Sequence, residues 1–305
     1  MSRPALPLRD GVSPSRIWLP ARPASSLSAF LASRFPDITE IAWRDRMARG
    51  LVLDAEGLPS PPDAAYRPDS ACYYYRELPP DPQPRPPLPI LHADEHLLVI
   101  DKPHFVAVMP AGRFLHDTLL VRLRAEGGLD DLAPLHRLDR DTAGVILFSV
   151  NPSTRDAYAA LFRERRIEKT YEAVADAAPA GDFPQWRRSC IARDEDHYRR
   201  REVPGPVNAE TWISQVASAG RDALYRIRPH TGQTHQIRVH MAALGLPLRH
   251  DRLYPSNQRH LPDDPARPLQ LLARSLAFED PVSGQPRRFV SARALSFPAA
   301  DASAS

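Results

Sequence analysis

Cysteine is nearly absent from this 305-residue chain: Cys72 and Cys190 are the only two, and they lie far apart. Their scarcity excludes a disulfide framework and any cysteine-based zinc site, and it fits a reducing compartment. Long apolar runs are missing too; none approaches the roughly 18 residues that a membrane-spanning helix needs. Met1 to Pro20 shows no apolar stretch after a basic start, so no signal peptide is expected and the chain reads as cytoplasmic. Lysine is equally scarce. Lys102 and Lys169 are the only two among 40 lysines and arginines. Arginine suits phosphate recognition through its planar fork, but the accompanying richness in alanine and proline points to compositional bias as the larger cause. Net charge is only +3 and the pI about 9.0, compatible with a polyanionic partner without naming one. What remains is ordinary globular material, 43% hydrophobic and 25% charged, at a length that suggests about two domains.

Proline punctuates the sequence most densely over 79–89. It fixes φ and removes a donor, so this segment reads as an extended linker between domains. Before it, Leu27, Phe30, Leu31 and Phe35 repeat at helical spacing behind Ser25 and Ser26, which can cap the helix. A second short helix carries Trp43, Arg44, Arg46, Met47 and Arg49 and stops at Gly50; its arginines read equally well as a phosphate grip or a solvated face. After the linker, strands are expected from His96, over Val145–Val150, Thr170–Ala175, Asn208–Val216 and Ala223–Arg228. Helices are expected over Thr154–Arg165 and from Thr234 to Gly245, the latter capped by Thr234. Strands outnumber helices, which predicts an α+β domain on a largely antiparallel sheet.

Three polar stretches can carry chemistry. In His136-Arg137-Leu138-Asp139-Arg140-Asp141-Thr142-Ala143-Gly144, Asp139 stands between two arginines at the mouth of an apolar strand. Neighbouring cations keep a carboxylate ionised, as a base or nucleophile must be; taken alone, the pattern is more often a structural ion pair. A kinase loop is set aside because no glycine-rich loop precedes and no Asp-Phe-Gly follows. A glycosidase pair is poor, since Asp139 and Asp141 point opposite ways on an extended chain. The second stretch, Arg226 to His240, gathers histidines and arginines where a strand turns into a helix, a place that attracts anions. His235 and His240 are five apart rather than the four of a helical metal pair, so zinc is a weak reading. The third, Arg163 to Val174, enters a strand in which Tyr171 is either a core ring or one that stacks on a base.

Jointly, in this order and spacing, these stretches resemble the RluA-type pseudouridine synthases. The pieces are Asp101-Lys102-Pro103, His136-Arg137-Leu138-Asp139 with Thr142 and Gly144, Lys169-Thr170-Tyr171, Thr231-Gly232, Thr234-His235-Gln236-Ile237-Arg238-Val239-His240, Asp251 with Tyr254, and Leu272-Ala273 with Leu276 and Phe278. The resemblance implies an enzyme that isomerises uridine to pseudouridine in ribosomal or transfer RNA. It also implies a mixed, mainly antiparallel sheet with flanking helices and a central RNA-binding cleft. Asp139 falls on the catalytic aspartate, Tyr171 on the tyrosine that stacks on the target base, and Arg238 on the arginine that pairs with the catalytic carboxylate. Arg137 falls on the arginine that fills the space left by a flipped base. No cofactor or metal is implied, RNA is the partner, and a monomer is slightly favoured.

Gln233 stands where the family usually has a cation, Ala143 where it has Ser or Thr, and Arg249-His250-Asp251 and Lys102-Pro103-His104-Phe105 also depart from the pattern. These departures bear on substrate contacts rather than on the chemistry. The resulting organisation is an N-terminal extension (1–25), a small module weakly similar to the S4 RNA-binding fold (26–78), the linker (79–89), the catalytic domain (90–292) and a tail (293–305). Two rival readings follow from the same residues: a catalytically silent RNA-binding protein on this fold, and a nucleoside hydrolase or glycosidase.

Overall fold

The computed structural model describes residues 4, 6–22, 24–77, 85–112, 114–195, 198–258 and 261–297. In chain order its elements are β1 (Ser15–Leu19), α1 (Leu27–Arg34), α2 (Glu40–Ala48), β2 (Val52–Leu53), β3 (Ser70–Tyr74), β4 (Ile90–Ala93), β5 (Leu97–Lys102), α3 (Leu119–Gly127), β6 (Ala133–Pro134) and β7 (Ala143–Ser149). There follow α4 (Arg155–Arg163), β8 (Glu168–Asp176), β9 (Gln185–Arg193), β10 (Arg200–Val203), β11 (Ala209–Ala219), β12 (Asp222–Pro229), α5 (Gln236–Ala243), β13 (Leu271–Glu279) and β14 (Pro286–Val290). They form two units, Met1–Gln83 with Met109–Asp130, and Pro84–Val108 with Asp131–Ser305.

In the first unit, β1, β3 and β2 form an antiparallel sheet in that order. Ser26 caps α1 by accepting from the Ala29 N–H at 3.1 Å, and Thr39 caps α2 through Ala42. The apolar faces of both helices meet on Leu31, Trp43 and Val52, all fully buried. Two features differ from the boundaries read in the sequence. β1 lies inside the stretch read as an extension; Ile17 and Leu19 turn inward while Trp18 turns out, an alternation that the flanking Pro14 and Pro20 obscure. α3 lies within 90–292, yet Leu115 and Val121 pack on Val12 of the first unit. The α2 arginines are engaged by acids: Arg44 by Glu40, Arg46 by Glu77, and Arg49 by Asp45 and Glu77. Within the linker, residues 79–84 lie outside the described residues, as do 298–305 of the tail.

The second unit carries an 11-stranded sheet running β10-β9-β11-β12-β8-β13-β7-β5-β4, with β14 against β13 and β6 against β7. Only β13 and β7 are parallel among the described strands, so the sheet is mixed and mainly antiparallel. Every residue of β7 is buried, which is why it reads as an unbroken apolar run. α4 lays Tyr158 and Leu161 on Val145 and Leu147. α5 lays Ile237 and Met241 on Ile213, Tyr225 and Ile227. That helix starts at Gln236, two residues later than expected. Thr234 does not cap it; the N-cap is His235, in the left-handed conformation at φ 59°.

Gly144 decides how closely β7 and β13 approach. Its φ is +114°, and an added Cβ would lie 2.2 Å from the Ala273 carbonyl oxygen. On the other side Gly144 pairs with Lys102 of β5, so no strand has room to move aside. Gly144→Ala is expected to cost at least about 3 kcal/mol through overpacking and the unfavourable φ together. A urea-unfolding midpoint equal to that of the unaltered protein would contradict this.

Candidate active site

The loop between β6 and β7 carries Asp139, and buried groups hold it from behind. Lys102, the last residue of β5, is fully buried. Its Nζ donates to the carbonyls of Pro103 at 2.9 Å, Val106 at 2.8 Å and Arg140 at 2.9 Å, one acceptor for each proton. Burial pushes its pKa down to about 7, against the opposing pull of Asp141 and Asp139. His136 is an internal brace: Nε2 accepts from the Leu147 N–H at 3.1 Å, and the ring stacks on Phe162 at 4.7 Å. Burial lowers its pKa to about 3, so the imidazole stays neutral and able to accept. His104 Nδ1 bonds the Asp141 carbonyl at 2.7 Å and steadies the far end of the loop.

α5 brings Arg238 to Asp139 by way of a second carboxylate. Arg238 donates through Nε and Nη2 to Asp251 at 2.8 and 2.6 Å, and its Nη1 reaches Asp139 Oδ2 at 3.4 Å. The Arg238 side chain is 2% exposed and that of Asp251 0%, against 27% for Asp139. Asp251 also accepts from the N–H groups of Leu253 and Tyr254. The guanidinium is therefore fixed by Asp251 and presents its remaining edge to the partly open Asp139. The start of α5 is secured by Gln236. Its Oε1 accepts from Thr231 Oγ1 and the Gln233 N–H, while Nε2 donates to the Glu210 carbonyl and Thr211 Oγ1. His240 is equally structural, with its ring nitrogens facing Thr211 and Ser189 hydroxyls and its pKa lowered to about 4 by burial.

Burial alone would raise the Asp139 pKa. His235, Arg238 and Lys102 outweigh it, and the net displacement is downward. His235 Nε2 lies 3.9 Å from Asp139 Oδ1, but burial lowers the imidazole's own pKa, so Arg238 is the standing cation near neutrality. Tyr171, half-buried on β8, has its phenol pKa raised by burial and then by the charge of Asp139. The carboxylate and the phenol therefore share one electrostatic neighbourhood, and the phenol stays protonated. Arg137 is exposed on the same loop and makes no ion pair among the described residues. Sequence reasoning left three supports unassigned: Asp251, His235 and Asp263. Asp263 binds Arg140 Nη1 at 2.9 Å and Arg252 Nη1 at 2.7 Å. Asp139 and Asp251 thus share Arg238, while the arginines that follow each of them share Asp263. Gln233, in place of the family's cation, donates to the Asn208 carbonyl.

A depressed folded-state pKa means that Asp139 adds stability above its unfolded value, and that this contribution is lost as pH falls through the folded value. The same depression keeps the carboxylate ionised across the neutral range. Turnover is accordingly expected to hold a plateau from about pH 8 to about pH 5 as far as this group is concerned. A 13C carboxyl resonance of Asp139 that titrated inside that range would show the carboxyl to be protonated at rest and would contradict the plateau.

The mixed, mainly antiparallel sheet is the one that the resemblance to pseudouridine synthases implies, and it sets a cation-held carboxylate at the mouth of β7. Comparison agrees: a sequence model of the RNA pseudouridylate synthase family matches residues 96–243. Human pseudouridylate synthase RPUSD2 is 35% identical over 174 residues, covering 56% of this chain and 31% of that protein. The chain thus spans about a third of the length of that relative. The dual-specificity RNA pseudouridine synthase RluA of Haemophilus influenzae is 28% identical over 212 residues, covering 68% of this chain and 94% of the relative. The solved structure of human RNA pseudouridylate synthase domain containing 4 superposes with a TM-score of 0.52 at 26% identity, covering 66% of this chain and 87% of that one. Residues 96–243 thus match the RNA pseudouridylate synthase family, and the similarity to RluA extends over 68% of the chain.

Proposed function

We propose that this protein isomerises uridine to pseudouridine in ribosomal or transfer RNA, with Asp139 as the catalytic carboxylate. The observation that carries the reading is an ionised, 27% exposed Asp139 beside the buried Arg238. The target nucleotide must leave its stack to be reached. The exposed Arg137 is suited to fill the gap, and the Tyr171 ring to stack on the extruded base. The C1′–N1 bond then breaks, the uracil turns while held, and C1′ bonds to C5; C5 loses a proton and N1 gains one, so no outside reactant is consumed. An ionised carboxylate can open this sequence at the C2′ proton, at C1′ or at the base, and all three use the same site. Holding both fragments away from water keeps recombination ahead of hydrolysis.

RNA as the substrate class accords with the names of relatives, among them the mitochondrial tRNA pseudouridine(32) synthase of Saccharomyces cerevisiae, 28% identical over 180 residues. We further read the protein as a cytoplasmic monomer, and residues 26–78 as an S4-like RNA-binding module. Arg44 and Arg46 of α2 and its C-cap Arg49 are ion-paired with acids of the same module, so RNA contact through them competes with those pairs. Mapping pseudouridines in cellular RNA with and without the gene tests the assignment; specific sites should disappear in its absence. Free uracil released from uridine-labelled RNA would mark a hydrolase instead, and tight RNA binding without any new pseudouridine would mark a silent binder.

A further inference from the structure

We propose that the outer face of β9, β11 and β12 is a second RNA-binding surface, which takes unpaired nucleotides by stacking them on Trp186 and Trp212. The proposal rests on reading the substrate as RNA. Strand register builds the face. Trp186 of β9 lies directly opposite Trp212 of β11, and Trp212 directly opposite Arg228 of β12. Directly paired residues share a face and successive residues alternate. Arg226 therefore joins this row of side chains. Ile227, between the two arginines, points the other way with its partner Tyr171, so the surface is the reverse of the face that carries the active-site phenol.

An indole left on a sheet surface is usually shielded, and here arginines do lie over both rings: Arg188 at 5.1 Å from the Trp186 centroid and Arg228 at 5.3 Å from that of Trp212. Shielding is incomplete, because Trp186 remains 48% exposed. Arg188 is paired with Glu210 at 3.7 Å, but the charge carried by β12 on this face is uncompensated. Arg226 and Arg228 are exposed and have no ion pair among the described residues. Glu172, directly across from Arg226, is bound to Arg274 instead. The neighbouring hairpin behaves differently, with Arg187 held by Glu202 and Arg199 by Asp194.

Two unpaired guanidinium groups beside two indoles are complementary to a polyanion whose bases offer π faces. An apolar protein partner would have to desolvate both cations without return. Duplex RNA has no unstacked base to offer an indole, so single-stranded or looped RNA is the fitting partner. One RNA engaged here and at Asp139 gains effective concentration at the catalytic site.

A short oligoadenylate, about ten nucleotides long, is the probe; it spans such a platform and contains no uridine for the catalytic site. Titration into the full chain should quench indole fluorescence. Trp186→Ala alone should weaken binding severalfold, and Trp186→Ala/Trp212→Ala about tenfold or more. Arg226→Gln/Arg228→Gln should weaken it and flatten its salt dependence. Unchanged affinity in the folded single and double tryptophan variants would overturn the proposal, as would equal competition by duplex RNA of the same length. Self-association of the protein that is lost in these variants would assign the face to a second copy and also overturn it. No turnover is read, so a protein inactive as an isomerase leaves this result standing, whereas retained isomerisation without oligoadenylate binding removes this surface alone.

Discussion

Asp139→Ala is expected to lower pseudouridine formation by about a hundredfold to ten-thousandfold, the range for loss of a positioned acid–base or nucleophilic group. RNA affinity should change little, because contacts to backbone and flanking bases come from elsewhere. Asp139→Asn sharpens the test. It keeps the shape and an oxygen that can accept from Arg238 Nη1, but removes the charge. If both variants lose activity while melting as the unaltered protein does, the negative charge is required rather than the contact. Full activity in Asp139→Asn would take this carboxylate out of the mechanism, and a loss confined to variants that fail to fold would reduce it to a brace.

How far the sequence shows this arrangement depends on which side chains face inward. β7 was legible because both its faces are buried, and α4 because Tyr158 and Leu161 recur at helical spacing on a polar background. Asp139, Tyr171 and Arg238 were legible through motif order, which stands in for spatial proximity. β9 was not, since arginines lie on both its faces: Arg188 covers Trp186 on the outer one, and Arg187 reaches Glu202. A strand of that kind looks like a charged loop. Asp251 could be aligned but not given a role, because its partner Arg238 is reached only after the chain leaves α5 and turns back. Asp263 was invisible for a related reason. It sits in a run of Pro, Asp and Arg that reads as solvated surface, yet its side chain is 5% exposed between two arginines.

Arg238→Met is expected to have the largest effect on stability, about 3–5 kcal/mol, because it leaves the Asp251 carboxylate buried without a counter-charge. Arg238→Lys should recover little. An ammonium cannot bind two carboxylate oxygens through a planar fork and still direct a third edge at Asp139. Pairing the change with Asp251→Leu separates structure from chemistry. Removing both charges should restore part of the urea midpoint, but not all of it, because the Leu253 and Tyr254 N–H groups then lose their acceptor. Pseudouridine formation should stay low in the double variant even where folding recovers, since Asp139 has lost the cation that remains charged at neutral pH. An unshifted midpoint in Arg238→Met would show the buried pair to be dispensable. A double variant that regained both midpoint and rate would show that Arg238 acts only as a support for Asp251, leaving the ionisation of Asp139 to His235 and Lys102.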